Sequence, residues 1–327
     1  MMRVLVGATV LVGCYKNAPD AATPPVAQSA PVASTPAASV SRALGDPIGF
    51  LPGNSELVLS VDGDQLRTSA LWTLADQKLR AAGGSSLTTF TTTCGFDPMS
   101  SIRHVTLGLR GLERDVPEGV LVLTGLPRQK LVDCFARTDI SSRSTLTVDG
   151  DVYTIRKASD PSAVIFTFVD DTTLVVLVGA STNRSALDKV IASGAPLRRS
   201  PAFTQLLDQV DTSAAIWGAV HGRSSMFDIT RGSQKPTAVW GSIRLEDGAA
   251  LSMRLRFGDT ATAQQLVNLA QTQIQGAAQM FFDRIDVSAD GAEVAVEAAM
   301  SEAKLSTLLS LIGMTTQVQP PTPSATP

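Results

Sequence analysis

The chain has few of the residues on which enzyme chemistry usually rests. Among 327 residues there are 2 His and 3 Cys, too little for a His/Cys zinc site of ordinary ligand count. Charge is sparse as well: 17% of residues are Asp, Glu, Lys or Arg, against the ~25% of a typical soluble domain. Basic and acidic residues number 27 and 30, so the formal charge is -3. That balance lacks the basic excess of nucleic-acid binders, and no nucleic-acid partner is expected. No apolar stretch approaches the roughly 20 residues that a membrane-spanning helix needs. HExxH, GxSxG and GxxxxGK patterns are missing, which leaves zincin, α/β-hydrolase and P-loop readings without support. The expectation is a protein that is not an enzyme and has no cofactor and no metal.

What the chain does have begins at its N-terminus. Met1-Met2-Arg3 supplies a positive charge, and Val4 to Val12 is apolar apart from Gly7 and Thr9. A charged start before a short apolar core is the pattern of a secretory signal peptide, expected here over residues 1–13. Leu11-Val12-Gly13-Cys14 resembles the lipobox of bacterial lipoproteins. The resemblance implies that Cys14 becomes the first mature residue and carries a diacylglyceryl thioether and an N-acyl chain such as palmitate. Several acyl chains anchor stably where one is marginal, so the membrane becomes a partner through Cys14. Tyr15 stands where an Asp in that family signals inner-membrane retention. The resemblance therefore implies an exported outer-membrane lipoprotein, facing the periplasm or the cell surface.

Residues 14–45 read as a tether. Asn17 to Ala43 is Ala, Pro, Ser, Thr and Val with almost no charge, and includes Pro19, Pro24, Pro25, Pro31 and Pro36. About 26 such residues span roughly 30 Å as a coil and nearer 80 Å as polyproline. Residues 315–327 form a similar Pro/Thr/Ser tail, read as a frayed end.

The body alternates strands and helices. Glu56 to Asp62 is a strand by its β-branched and apolar content. A helix capped at Thr68 or Ser69 is expected to end at Gly83-Gly84. Strands follow at Ile102–Leu109 and Gly119–Thr124, then a helix opened by Pro127. Asp149-Gly150, Asp247-Gly248 and Asp290-Gly291 mark hairpins. Phe203, Leu206, Leu207 and Val210 give a helical stripe after Ser200-Pro201, and Leu305, Leu308, Leu309 and Ile312 give another. A further short helical piece is expected near Ser225. Strand-strand-helix recurs four times. The fold expected is α+β, with antiparallel sheets built from hairpins and helices packed on one face. Two related halves are expected at residues 46–199 and 200–314, with one irregular domain as the alternative.

Candidate chemistry is thin. Cys94 and Cys134 form an even pair in an exported chain, hence a disulfide candidate, and two buried thiols are the alternative. His104 and His221 could each serve as a general base, but both fit strand-surface or strand-end positions better. Asp62-Gly63-Asp64 and Asp149-Gly150-Asp151 lack the EF-hand spacing and read as turns. Arg244, Arg254 and Arg256 share one side of a hairpin and could bind an anionic envelope polymer, or simply form a solvated face. The apolar strands Val164–Val169 and Leu174–Val178 and the Met280-Phe281-Phe282 cluster could line a cavity or fill a core.

Leu51-Pro52 and Glu56-Leu-Val-Leu-Ser-Val-Asp62 resemble the opening of uncharacterised bacterial envelope proteins, a likeness that brings no activity with it. The function expected is a tethered, non-catalytic binding or structural module of the cell envelope. Its partner would be an envelope protein, a polymer or an apolar ligand. A carrier of lipid or another apolar ligand is the alternative.

Overall fold

The computed structural model describes residues 46–114, 116–137, 144–157, 163–179, 182–222, 227 and 235–315. The expected signal peptide, Cys14, the tether, the piece near Ser225 and the tail beyond Thr315 lie outside the described residues.

Among the described residues, twelve strands form one continuous antiparallel sheet. They are β1 (Leu57–Asp62), β2 (His104–Arg110), β3 (Glu118–Thr124), β4 (Ser144–Asp149), β5 (Val152–Lys157), β6 (Ala163–Phe168), β7 (Thr173–Val178), β8 (Ile216–His221), β9 (Ala238–Arg244), β10 (Gly248–Arg256), β11 (Arg284–Asp290) and β12 (Glu293–Ser301). Across the sheet the order is β11-β12-β10-β9-β8-β1-β2-β3-β7-β6-β5-β4. Residues 46–199 thus supply one side of the sheet and residues 200–314 the other. They meet at β1 and β8, which pair from Leu57↔Val220 to Val61↔Ile216. Each side runs through a three-strand meander and a helix, then returns so that its last strand pairs with its third.

The helices among the described residues are α1 (Gly63–Arg67), α2 (Leu71–Cys94), α3 (Pro98–Ser101), α4 (Arg128–Arg137), α5 (Arg184–Ala192), α6 (Pro201–Leu207), α7 (Thr260–Phe281) and α8 (Glu302–Thr315). Local chemistry sets their starts. Asp62 accepts from the Gln65 N–H to cap α1, Asp97 from Met99 to cap α3, and Asn183 from Ala186 to cap α5. The α2 helix does not stop at Gly83-Gly84. It runs on to Gly95, whose left-handed backbone ends it, because Leu87, Phe90 and Cys94 bury themselves in the next turns. That burial outweighs the ~1 kcal/mol that each mid-helix glycine costs.

The class is α+β and the sheet antiparallel, as the pattern suggests. The helices, however, cover both faces. One face (face A) carries Val58, Val120, Val122, Val175 and Leu177, sealed by a 3-10 turn at Pro47–Phe50, by α5 and by α6 through Leu187, Phe203 and Leu206. The other (face B) carries Leu121, Leu123, Phe166, Leu174 and Val176 under α2 and α4. At the far end of face B, α7 covers Val287 and Val294 through Ala263 and Val267. The reason is visible in β3, β6 and β7, whose apolar runs present hydrophobic side chains on both sides and so need cover on both.

Candidate functional site

The two histidines lie at opposite ends of β1. His104 is opposite Asp62, and His221 lies one residue beyond the Leu57↔Val220 pair. No common site joins them.

An open cleft of about 480 Å3 lies beside His221, with Asn54, Ser55, Glu56, Glu113 and Ser200 in its lining. Phe203 of α6 meets the His221 ring edge-on, with centroids 4.7 Å apart. Burial lowers the His221 pKa, and the Ser55 carbonyl and the Glu56 charge only partly oppose this. The ring is therefore mainly neutral at pH 7. Glu56 is engaged elsewhere: its carboxylate accepts from the Gly111 N–H at 2.8 Å and the Leu112 N–H at 3.2 Å. Ser55 is buried and donates to the Pro52 carbonyl at 2.7 Å. Both groups clamp loops at the cleft wall.

His104 sits in a cross-strand row with Asp62 and Thr124. Its Nε2 is 3.3 Å from Asp62 Oδ2, and its Nδ1 is 3.3 Å from Thr124 Oγ1. An acid–imidazole–hydroxyl order is the arrangement that nucleophilic catalysis uses. Here the His104 side chain is 46% exposed, and Asp62 already accepts two hydrogen bonds from Gln65 while capping α1. The row ties strand ends together.

Arg244, Arg254 and Arg256 do share face A, since Ala250 pairs with Arg244 and lies on the same side as Arg254 and Arg256. Each already faces a carboxylate. Arg244 Nε lies 2.9 Å from Asp211, Arg254 3.7 Å from Glu293, and Arg256 2.8 Å from Glu293 while its guanidinium stands 5.0 Å over the Trp240 ring. The face is one of mixed charge. The two Asp-Gly-Asp stretches are likewise paired, Asp64 with Arg67 and Arg103, Asp149 with Arg184 and Asp151 with Arg128. Among the described residues no three His, Cys, Asp or Glu side chains come together as a metal-binding group. Cys94 and Cys134 are disulfide-bonded with Cα atoms 4.9 Å apart, which pins the end of α2 to α4. Of the Met280-Phe281-Phe282 cluster, Met280 is 72% exposed and lines no interior.

The most distinctive region escaped the sequence reading. On face B, between the α2/α4 cluster and the α7 cluster, Leu57, Leu59, Val61, Ile216, Ile243 and Met253 belong to neither core. Five of them are half-buried, and Leu59 is 38% exposed. One cross-strand row runs Leu59, Gly218, Gly241, Met253. No side chain rises from the two glycines in the middle of this apolar band, and neighbouring strands close on them: a Cβ would lie 2.4 Å from the Ser252 carbonyl oxygen at Gly241 and 3.1 Å from the Val58 carbonyl oxygen at Gly218. Both follow a tryptophan: Trp217-Gly218 and Trp240-Gly241. Each Trp fills face A, where Trp217 is 4% and Trp240 2% exposed, while each Gly adds no side chain to face B. The repeated Trp-Gly pair on neighbouring strands is the signal that could have found it.

No family model and no curated protein matches the chain. Two solved structures share its fold, crystal forms III and IV of TP0453, with TM-scores of 0.53 and 0.52. Sequence identity is 10% and 12%. The likeness covers 81% and 82% of this chain, and 98% and 96% of the TP0453 chains. At that identity it is a likeness of fold.

Proposed function

We propose that this chain is a non-catalytic binding module held on the cell envelope by a lipidated Cys14, and that its ligand is apolar. The observation that carries the reading is the contrast between the faces of the central strands. Val58 is 1% exposed under the face A helices, whereas its neighbour Leu59 is 38% exposed on face B. A floor of apolar side chains around two glycines, half-covered by helices, suits an acyl chain or another elongated apolar molecule. Lipid from the envelope is the occupant this reading favours. A tether of roughly 26 residues would let the domain work at a distance from the membrane that holds the anchor.

The test has two arms. Envelope fractionation compares the native chain with Cys14→Ser, which should move from the membrane to the soluble fraction; intact mass of the mature N-terminus should show the acyl chains. An unmodified Cys14 overturns the anchor. Separately, the purified chain is titrated with the fluorescent apolar probe N-phenyl-1-naphthylamine and then with palmitate. Palmitate should displace the probe, and Leu59→Asp should weaken both without loss of fold by circular dichroism. Probe binding that is absent, or indifferent to Leu59→Asp, overturns the apolar ligand.

A further inference from the structure

The two edges of the sheet are protected unequally. An edge strand offers unpaired N–H and C=O groups to any passing strand, and proteins block this with charges, prolines or bulges. At one edge, β11 carries Arg284, Asp286 and Asp290, all on one face in alternation with Ile285, Val287 and Ala289. At the other edge, β4 reads Ser-Thr-Leu-Thr-Val-Asp, with a single charge at its end and no proline. It pairs with β5 on one side and with no strand on the other among the described residues. Val148 on this edge is 55% exposed, in a strand whose Leu146 packs against the α2/α4 core.

We propose that the β4 edge is a self-association site, where β4 of one copy pairs antiparallel with β4 of a second copy about a two-fold axis at Thr147. The argument is one of self-complementarity. In that register Thr147 faces the partner's Thr147, Thr145 faces the partner's Asp149, and Leu146 faces the partner's Val148. On face B the exposed Val148 gains an apolar neighbour continuous with the existing core. On face A a hydroxyl meets each carboxylate and no like charges stand opposite. Asp149 is already held 2.8 Å from Arg184, which screens it from the second copy. The same operation at β11 offers less: about Ser288 it sets Asp286 against the partner's Asp290, and about Val287 the apolar side chain brought to the seam is already buried under α7. Period-two alternation keeps both face A surfaces on one side of the joined sheet, so the pairing is isologous and closes at two copies.

The experiment is mild oxidative cross-linking of the full chain in a Cys14→Ser background, which removes the one extra thiol. Thr147→Cys should give a disulfide-linked dimer on a non-reducing gel, because directly opposed Cβ atoms in an antiparallel pair lie ~4.5–5.5 Å apart. Ser288→Cys, on the β11 edge, should not. Adding Val148→Lys to Thr147→Cys should abolish the dimer while the far-ultraviolet circular dichroism spectrum is kept. Sedimentation of the cysteine-free edge should show a monomer–dimer equilibrium that Val148→Lys shifts to monomer. Equal cross-linking at both edges, cross-linking that survives Val148→Lys, or a monomer throughout overturns the proposal. None of these readouts depends on an apolar ligand.

Discussion

Cys94 closes α2 and Cys134 sits on the inward side of α4, and the two are bonded with a separation of 40 residues in sequence. Both are buried, at 4% and 1% exposure, in the face B core. Closing a loop of about 40 residues removes entropy from the unfolded chain worth roughly 4 kcal/mol in the simplest treatment. The pair Cys94→Ser and Cys134→Ser should therefore lose about 2–4 kcal/mol of unfolding free energy in denaturant titration. Reduction of the native chain should produce the same loss. Peptide mapping without reductant comes first: free thiols at both positions would reject the bridge.

Adjacent residues of β1 should respond very differently to truncation. Val58 is sealed beneath face A, so Val58→Ala removes two methyl groups and leaves a void, at a cost of about 2 kcal/mol. Leu59 loses more carbon in Leu59→Ala but is 38% exposed on face B. Its cost should be about 1 kcal/mol or less, since water already reaches the site. Equal losses in the two variants would mean that Leu59 is covered in solution.

What the sequence made legible was local. The β1 strand, the Ser200-Pro201 start of α6 and the three Asp-Gly turns are each written in a few adjacent residues, through β-branching, a proline-ready first turn and left-handed backbone. Strand order was not legible. That β1 pairs with β8 rests on Leu57↔Val220 and its neighbours, contacts between residues far apart in the chain that no local period encodes. The run past Gly83-Gly84 was misjudged because propensity is a weak term and the burial of Phe90 and Cys94 is a strong one. At the candidate sites the residue types were legible and their partners were not. Nothing in the spacing of Arg254 and Arg256 announces Glu293 beside both.

Stability should fall with acid in a window set by His221. Its native pKa lies below the ordinary histidine value, chiefly through burial. The unfolded chain then binds the proton more readily than the native one. The contribution is present in full above the unfolded value of about 6.5, and is lost as pH falls from there toward the native value. The melting temperature should drop as pH falls below about 6.5, and His221→Gln should flatten that slope. Asp211, held low first by the Ser213 hydroxyl and also by Arg244, acts in the same direction but only around pH 4 and below. An unchanged slope in His221→Gln would show that the ring titrates as if exposed.

Two turns that look alike in sequence should differ sharply in tolerance. Gly248 and Gly291 each follow an Asp, and each has a left-handed backbone, with φ of 127° and 58°. A Cβ on Gly291 meets nothing within 4 Å, so Gly291→Ala carries only the left-handed penalty of about 1–2 kcal/mol. A Cβ on Gly248 would lie 2.1 Å from the Met300 carbonyl oxygen, because Gly248 is pressed against the end of β12 opposite Ser301. Its φ of 127° is also one that side chains scarcely adopt. Gly248→Ala should therefore cost well over 3 kcal/mol, or yield insoluble protein, and the damage should spread to β12 and the start of α8. Hydrogen exchange would localise it: protection should vanish at Ala299 to Leu305 in Gly248→Ala and persist there in Gly291→Ala. If both variants retain that protection, the close approach of β10 to the β12 end is wrong.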